Sequence, residues 1–203
     1  MYFSAPDFLR KLFPALIWSF PDEEKIIYMT FDDGPNVEVT PWVLQKLEEF
    51  NVKATFFCLG KNVEQYPDVY KMIIDAGHAV GNHSYSHIRG WGVAVGDYVQ
   101  DFDLAANFID SNLIRPPYGR ITPTQARVLN ERYKLIMWDI LSRDYSRAIT
   151  RRRCVRNVVK HLRPGAIIVF HDSLKAQRNL CYTLPRVLET LQHEGYECRK
   201  IGL

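Results

Sequence analysis

Five stretches of the chain place ionisable side chains directly after apolar runs. Ile26–Phe31 leads into Asp32-Asp33-Gly34-Pro35, and His78–Gly81 into Asn82-His83. Asn112-Leu113-Ile114 leads into Arg115-Pro116-Pro117, Leu135–Trp138 into Asp139 and then Asp144, and Ala166–Phe170 into His171-Asp172. The types are those of hydrolytic chemistry. Of two adjacent carboxylates, one can bind a metal while its neighbour faces a bound water. His83 and His87, four apart in His-Ser-Tyr-Ser-His, would share one face of a helical turn, with Cβ atoms about 5–6 Å apart, close enough to hold one ion. Asp33 supplies a third ligand, and two imidazoles with one carboxylate leave coordination positions open for water and substrate. Ser84 stands where a zincin helix would carry its glutamate, so the base must come from elsewhere.

The other groups fit the same chemistry. Arg115 could grip a carboxylate through its forked guanidinium, orienting it and keeping it ionised, in a loop stiffened by Pro116, Pro117 and Gly119. His171 follows a buried run where packing does not call for a histidine, and Asp139 or Asp144 could tune it. Each feature has a plainer reading: a capped turn for Asp32-Asp33, a rigid turn for Arg115, a structural histidine for His171. Five strand ends carrying such groups together are hard to explain as a solvated surface. His78 reads as a helix-to-strand turn residue, and His161 and His193 as late-helix residues suited to the dipole.

Something must bring these ends to one place. From about residue 25 strand-like and helix-like patterns alternate. Strands are expected at 25–31, 53–59, 78–81, 112–115, 134–138, 166–170 and 196–201, several as continuous apolar runs suited to strands buried on both faces. Helical spacing occupies 42–50, 63–76, 97–109, 123–131, 151–162 and 184–194. Thr40-Pro41 and Thr122-Pro123 read as N-caps followed by a first-turn proline; Gly77, Gly165 and Gly195 read as left-handed helix ends. The pattern is a parallel α/β domain over residues 25–203, in which strand C-termini converge on one face. Residues 1–24 are expected to form an arm or short helix packed on it.

Composition sets outer limits. The chain has 203 residues, 47% apolar and 24% charged, which suits one well-cored domain. Its net charge of +3 does not demand a polyanionic partner. The run Arg151-Arg152-Arg153 lacks interleaved aromatics and reads as a solvated helix end, so no nucleic acid is expected. The four cysteines form no CxxC pair and read as reduced thiols. Residues 8–20 are apolar but broken by Arg10, Lys11 and Pro14, with no small-x-small cleavage site. The expectation is a cytoplasmic location, with export as the alternative, and no stable membrane insertion. The sequence leaves oligomeric state open.

Taken in order, the segments resemble the NodB-homology domain of polysaccharide deacetylases, carbohydrate esterase family 4. Thr30–Pro35 looks like its first motif, His83–His87 its second, Arg115–Gly119 its third, Trp138–Tyr145 its fourth and Val169–Asp172 its fifth. The resemblance implies a distorted (β/α) barrel of about seven parallel strands with outer helices. It implies a divalent metal, Zn2+ or another such as Co2+, on Asp33, His83 and His87. It makes Asp32 the general base, His171 the general acid, Arg115 the residue orienting the base, Asp144 the one tuning the acid, and the Tyr118 backbone N–H the oxyanion donor. The implied substrate is an N-acetylated carbohydrate (an amino sugar, chito-oligosaccharide or peptidoglycan-related glycan) losing an N-acetyl, or O-acetyl, group. The alternative keeps fold and metal and cleaves another non-peptide C–N bond, in a cyclic imide or ureide. Tyr145 and Val169 stand where the family often has tryptophan and leucine, at positions resembling walls of the acetate pocket.

Overall fold

The computed structural model describes residues 15–21 and 24–202. Its strands are β1 (Leu16–Ile17), β2 (Ile26–Asp32), β3 (Thr55–Cys58), β4 (Ala79–Asn82), β5 (Leu113–Ile114), β6 (Lys134–Ile136), β7 (Ile140–Leu141), β8 (Ala166–His171) and β9 (Glu197–Cys198). Its helices are α1 (Val39–Glu49), α2 (Gly60–Gln65), α3 (Pro67–Asp75), α4 (Val95–Ala106), α5 (Pro123–Asn130), α6 (Arg151–Val159) and α7 (Gln177–His193). The sheet runs β1-β6-β5-β4-β3-β2-β8-β7, with β9 also on β2. Every strand pairing in it is parallel. All seven expected strands are present with shorter or shifted bounds; β1 and β7, two residues each, are too short to show any period.

Closure comes from connections rather than a last strand pair. The Met137 N–H donates to the Ile17 carbonyl at 2.7 Å and the Asp139 N–H to Ile167 at 3.0 Å, so the β6–β7 link bridges the two ends of the sheet. Phe20 reaches the start of β8 through Gly165 at 2.9 Å. The result is the expected distorted (β/α) barrel. Within residues 15–21, Leu16–Ile17 and Ser19 pair with the sheet, so this segment joins it rather than forming a helix; the rest of the expected arm, apart from Glu24, lies outside the described residues.

Alternation along the strands sorts side chains into two layers. Ile27, Met29 and Phe31 of β2 pack outward with Val43, Leu47, Leu184 and Val187 under α1 and α7. Tyr28 packs on the inward cluster of Phe57, Leu113, Ile136, Ile167 and Ile201. Phe31 is fully buried between Phe56 and Phe170, at 4.9 and 5.9 Å between ring centroids. Burial of each such side chain contributes roughly 1.5–3 kcal/mol, which fixes the register that carries Asp32 to the barrel mouth.

Three helix expectations need correction. Residues 63–76 are two helices, because Tyr66 leaves helical geometry (φ −130°, ψ 58°) and Pro67 starts a new one. Thr40 lies inside α1, not before it; its hydroxyl donates to Asp172 at 2.5 Å, and Asn36 Oδ1 accepts the Glu38 and Val39 amides instead. The last helix begins at Gln177 and accommodates Pro185. Thr122 is the N-cap that its sequence predicts, and it forms a full capping box with Gln125.

Candidate active site

Asp32 closes β2 on the inward face, where its register partner on β8 is His171. Strict alternation would send Asp33 to the opposite side. Instead Asp33 takes a left-handed backbone, φ 77°, and turns back to the same mouth. The His83–His87 segment is not a helical turn, contrary to the spacing argument. It is a loop after β4 in which Ser84 and His87 have φ of 66° and 64°. Asn82 Oδ1 accepts the Ser84 amide at 2.8 Å, and Asp101 on α4 accepts the Tyr85 and Ser86 amides at 3.0 Å each. The loop geometry, not a helix face, brings the imidazoles together, 5.1 Å between centroids.

Asp33 Oδ1 lies 3.3 Å from His87 Nε2 and 3.8 Å from His83 Nε2. One ligand atom from each of the three residues falls within 4.8 Å of the others. The His83 Nδ1–H donates to the Arg115 carbonyl at 2.8 Å, which leaves the Nε2 lone pair facing Asp33. His87 Nδ1 meets the Tyr118 hydroxyl at 3.1 Å, and its Nε2 faces Asp33. Burial pushes His83 down to about 4, so it is neutral near pH 7. Burial acts to raise Asp33, but the His87 hydrogen bond and the charges of His171, His83 and His87 hold it well below the usual carboxylate range. A neutral His83 and an ionised Asp33 are donor forms that a divalent cation requires, and His87 Nε2 beside them completes the set, so these residues fit one.

Arg115 is fully buried. Its NH1 donates to Asp32 Oδ1 at 2.6 Å and to Thr30 Oγ1 at 2.7 Å, Nε to the Ile136 carbonyl at 3.2 Å and NH2 to Met137 at 2.9 Å. Its plane lies over Phe57 at 4.0 Å. A buried guanidinium is tolerated when its donors are met in this way, and Asp32 is thereby fixed with Oδ2 4.0 Å from His83 Nε2.

Asp144, also fully buried, accepts the His171 Nδ1–H at 2.8 Å and the His171 amide at 2.9 Å. Burial alone would lower the imidazole; the Asp144 charge and hydrogen bond, with Asp33 and Asp32, push it up to about 9. His171 thus carries a proton at Nε2 toward the mouth. The open choice between Asp139 and Asp144 resolves to Asp144, since Asp139 pairs with Arg163 at 2.7 Å. Among the described residues no acceptor meets the Tyr118 N–H, which sits on a backbone of φ 60°. The Tyr145 ring meets His171 edge-on at 4.7 Å; Val169 is buried on β8.

Asp32, Asp33, His83, His87, Arg115, Tyr118, Asp144 and His171 therefore gather at this mouth, whereas Asp139 pairs elsewhere and His78 lies at the other end of β4. Sequence reading missed the supports: Thr30 and Asn82, Asp101 under the histidine loop, Asn62 on the Asp33 carbonyl at 2.8 Å, and Asn179 on the Asp144 carbonyl at 2.8 Å. Of these only Thr30 sits inside a quoted motif; Asp101 and Asn179 look like ordinary helix-surface polar residues until the helices are packed.

A profile of the family described as polysaccharide deacetylase matches residues 20–133. The chain belongs to the polysaccharide deacetylase family. Within it, the chain is 34% identical over 166 residues to a peptidoglycan-N-acetylglucosamine deacetylase of Bacillus cereus, covering 78% of this chain and 60% of that protein. The chain thus spans less than two thirds of that relative. A solved structure, the Bc1960 peptidoglycan N-acetylglucosamine deacetylase, superposes with a TM-score of 0.89 at 29% identity, covering 97% of this chain and 95% of that one. A Bacillus anthracis protein described as a pseudoenzyme of carbohydrate esterase family 4 superposes with a TM-score of 0.80 at 25% identity, over 93% of this chain and 68% of that one. Since the family includes a pseudoenzyme, activity has to be argued from the residues at the mouth.

Proposed function

We propose that this polysaccharide deacetylase family member is a metal-dependent hydrolase that removes the N-acetyl group from an amino-sugar glycan of the N-acetylglucosamine type. The observation that carries the reading is the joint presence, at one barrel mouth, of the Asp33-His83-His87 donor set, the Arg115-held Asp32 and the His171–Asp144 pair. Asp33, His83 and His87 would hold a divalent cation, with Zn2+ or Co2+ suited to the mixed imidazole and carboxylate set. When bound, that cation supplies Lewis acidity to the acetamide carbonyl and to water.

The chain's own residues do the rest. Arg115 aims Asp32, which takes the proton from water as its oxygen attacks the acetyl carbon. The Tyr118 N–H, free of any acceptor among the described residues, donates to the developing oxyanion. His171, protonated and held by Asp144, gives its Nε2 proton to the sugar nitrogen as the C–N bond breaks, releasing acetate and a free amine. Acetate release from N-acetylglucosamine oligomers, measured before and after chelation and with Zn2+ or Co2+ restored, tests the proposal. Release that stops with chelator, returns with metal and falls on the order of 10²–10⁴-fold in Asp32→Asn supports it. Ring opening of cyclic imides without acetate release from any oligomer overturns the substrate class.

A further inference from the structure

The arginine run that reads as a solvated helix end borders a cavity of about 530 Å³. Arg147, Thr150, Arg151 and Arg152 line it from the β7–α6 loop and the start of α6; Arg178 and Tyr182 line it from the first turns of α7. Both segments follow strand C-termini, so the cavity opens on the face that carries the catalytic mouth. Asn179 joins the two places. It borders the cavity, and its amide donates to the carbonyls of Asp144 and Ser146 at 2.8 and 3.1 Å. Lys175 stands 5.5 Å over the Tyr145 ring, which in turn meets His171. The cavity therefore shares a wall residue, Asn179, with the loop that carries Asp144 and Tyr145.

Several other surface arginines are matched to carboxylates, Arg132 with Asp103, Arg163 with Asp139 and Arg199 with Glu197, while Arg120 and Arg186 stack on Trp91 and Tyr182. Among the described residues no carboxylate pairs with Arg147, Arg151, Arg152 or Arg178; Arg151 lies only over the Tyr182 ring at 5.1 Å. Four guanidiniums in one cavity exceed the +3 net charge of the entire chain. They repel each other unless an anion joins them, and their planar forks match carboxylate or phosphate oxygens. The N-terminus of α6, where Thr150 caps the Arg153 amide, adds partial positive charge at the same wall.

We propose that this cavity is a substrate subsite for an acidic group, a carboxylate or phosphate carried on the glycan a short distance from the reacting acetamide. The proposal rests on the deacetylase reading above and narrows it to acidic glycans. A pocket beside the reacting site, whose one lining aromatic, Tyr182, already lies under Arg151 and Arg186, suits a substituent of the substrate better than an extended nucleic acid.

The test compares wild type with the combined variant Arg147→Gln, Arg152→Gln, Arg178→Gln. Substrates are N-acetylglucosamine oligomers of equal length that are neutral, carboxylate-bearing or phosphate-bearing. The expected result is a KM for acidic oligomers raised about tenfold in the variant, as loss of several exposed ion pairs would give, with kcat and neutral-oligomer turnover unchanged. High salt should erase the wild-type preference. Unaltered KM, or equal loss on neutral and acidic oligomers, overturns the subsite. Calorimetric binding of a fully N-deacetylated, carboxylate-bearing oligomer gives a readout independent of turnover. If binding is present in wild type and lost in the variant while no oligomer releases acetate, the deacetylase reading fails and the anion site stands. Nucleic acid outcompeting the acidic oligomer would overturn the glycan assignment.

Discussion

Strand β4 has a buried histidine beside each end, and the two do different work. His78 precedes the strand; burial pushes it down to about 4, its Nδ1 accepts the Ala54 N–H at 3.1 Å, and its ring packs 5.3 Å from Phe56. His83 follows the strand and is also pushed down to about 4, but its Nδ1–H donates to Arg115. Both are neutral near pH 7. Burial sets their charge, while the partner at Nδ1 decides whether the lone pair is used up in the fold or left facing Asp33. The same division runs across the sheet. Its N-terminal end turns at Gly77, Gly165 and Gly195, with φ of 73–77°. Its C-terminal end puts Asp33, Ser84, His87, Tyr118 and Arg143 at φ of 60–77°. There the left-handed backbone, which costs of order 1–3 kcal/mol per non-glycine residue, carries side chains that glycine would lack.

This contrast can be broken experimentally. The largest effect is expected from His83→Ala, which should lose on the order of 10³-fold in acetate release and its tightly held cation by metal analysis. His78→Ala should keep both; cation loss in both variants would end the distinction. Next, Arg115→Met should destabilise by about 3–5 kcal/mol in denaturant unfolding, because it strands a buried Asp32 without its counter-charge. His78→Ala should cost about 1–3 kcal/mol, the amide of Ala54 being left unmet.

The pH dependence of cation-free protein is a further check. His78 and His83 are lowered from 6.5 to about 4, so between those values the unfolded chain binds more protons. Their contribution is full above pH 6.5 and is lost as pH falls toward 4. His171, raised to about 9, contributes stability below pH 6.5 that is lost as pH rises through 9. Melting temperature against pH should therefore fall on both sides of a neutral maximum, with a shallower acid limb in His78→Ala. The smallest change belongs to Asn51→Gly, expected within about 0.5 kcal/mol, since Asn51 (φ 53°) follows α1 where either residue serves.

The chemistry was legible because ionisable residues at strand ends contradict the apolar runs before them, and a parallel sheet follows from the alternation of strands and helices. The means of assembly were not. A four-residue histidine spacing suggests a helix, yet positive φ at Ser84 and His87 makes the loop work, and backbone sign leaves no trace in residue type unless glycine marks it. Asp101 and Asn179 were invisible for a different reason: their partners are backbone groups of distant loops, which only packing brings near. The two-residue strands β1 and β7 owe their pairing to neighbours, not to any pattern of their own.

Arg115 serves both halves of the mouth through different atoms of one residue. Its guanidinium aligns the carboxylate that would accept water's proton, and its carbonyl fixes the tautomer of an imidazole facing Asp33. In the proposed reaction, proton acceptance and ion retention would therefore be mechanically linked. A change that displaces this backbone should degrade both together, so partial loss of one alone would point to damage elsewhere.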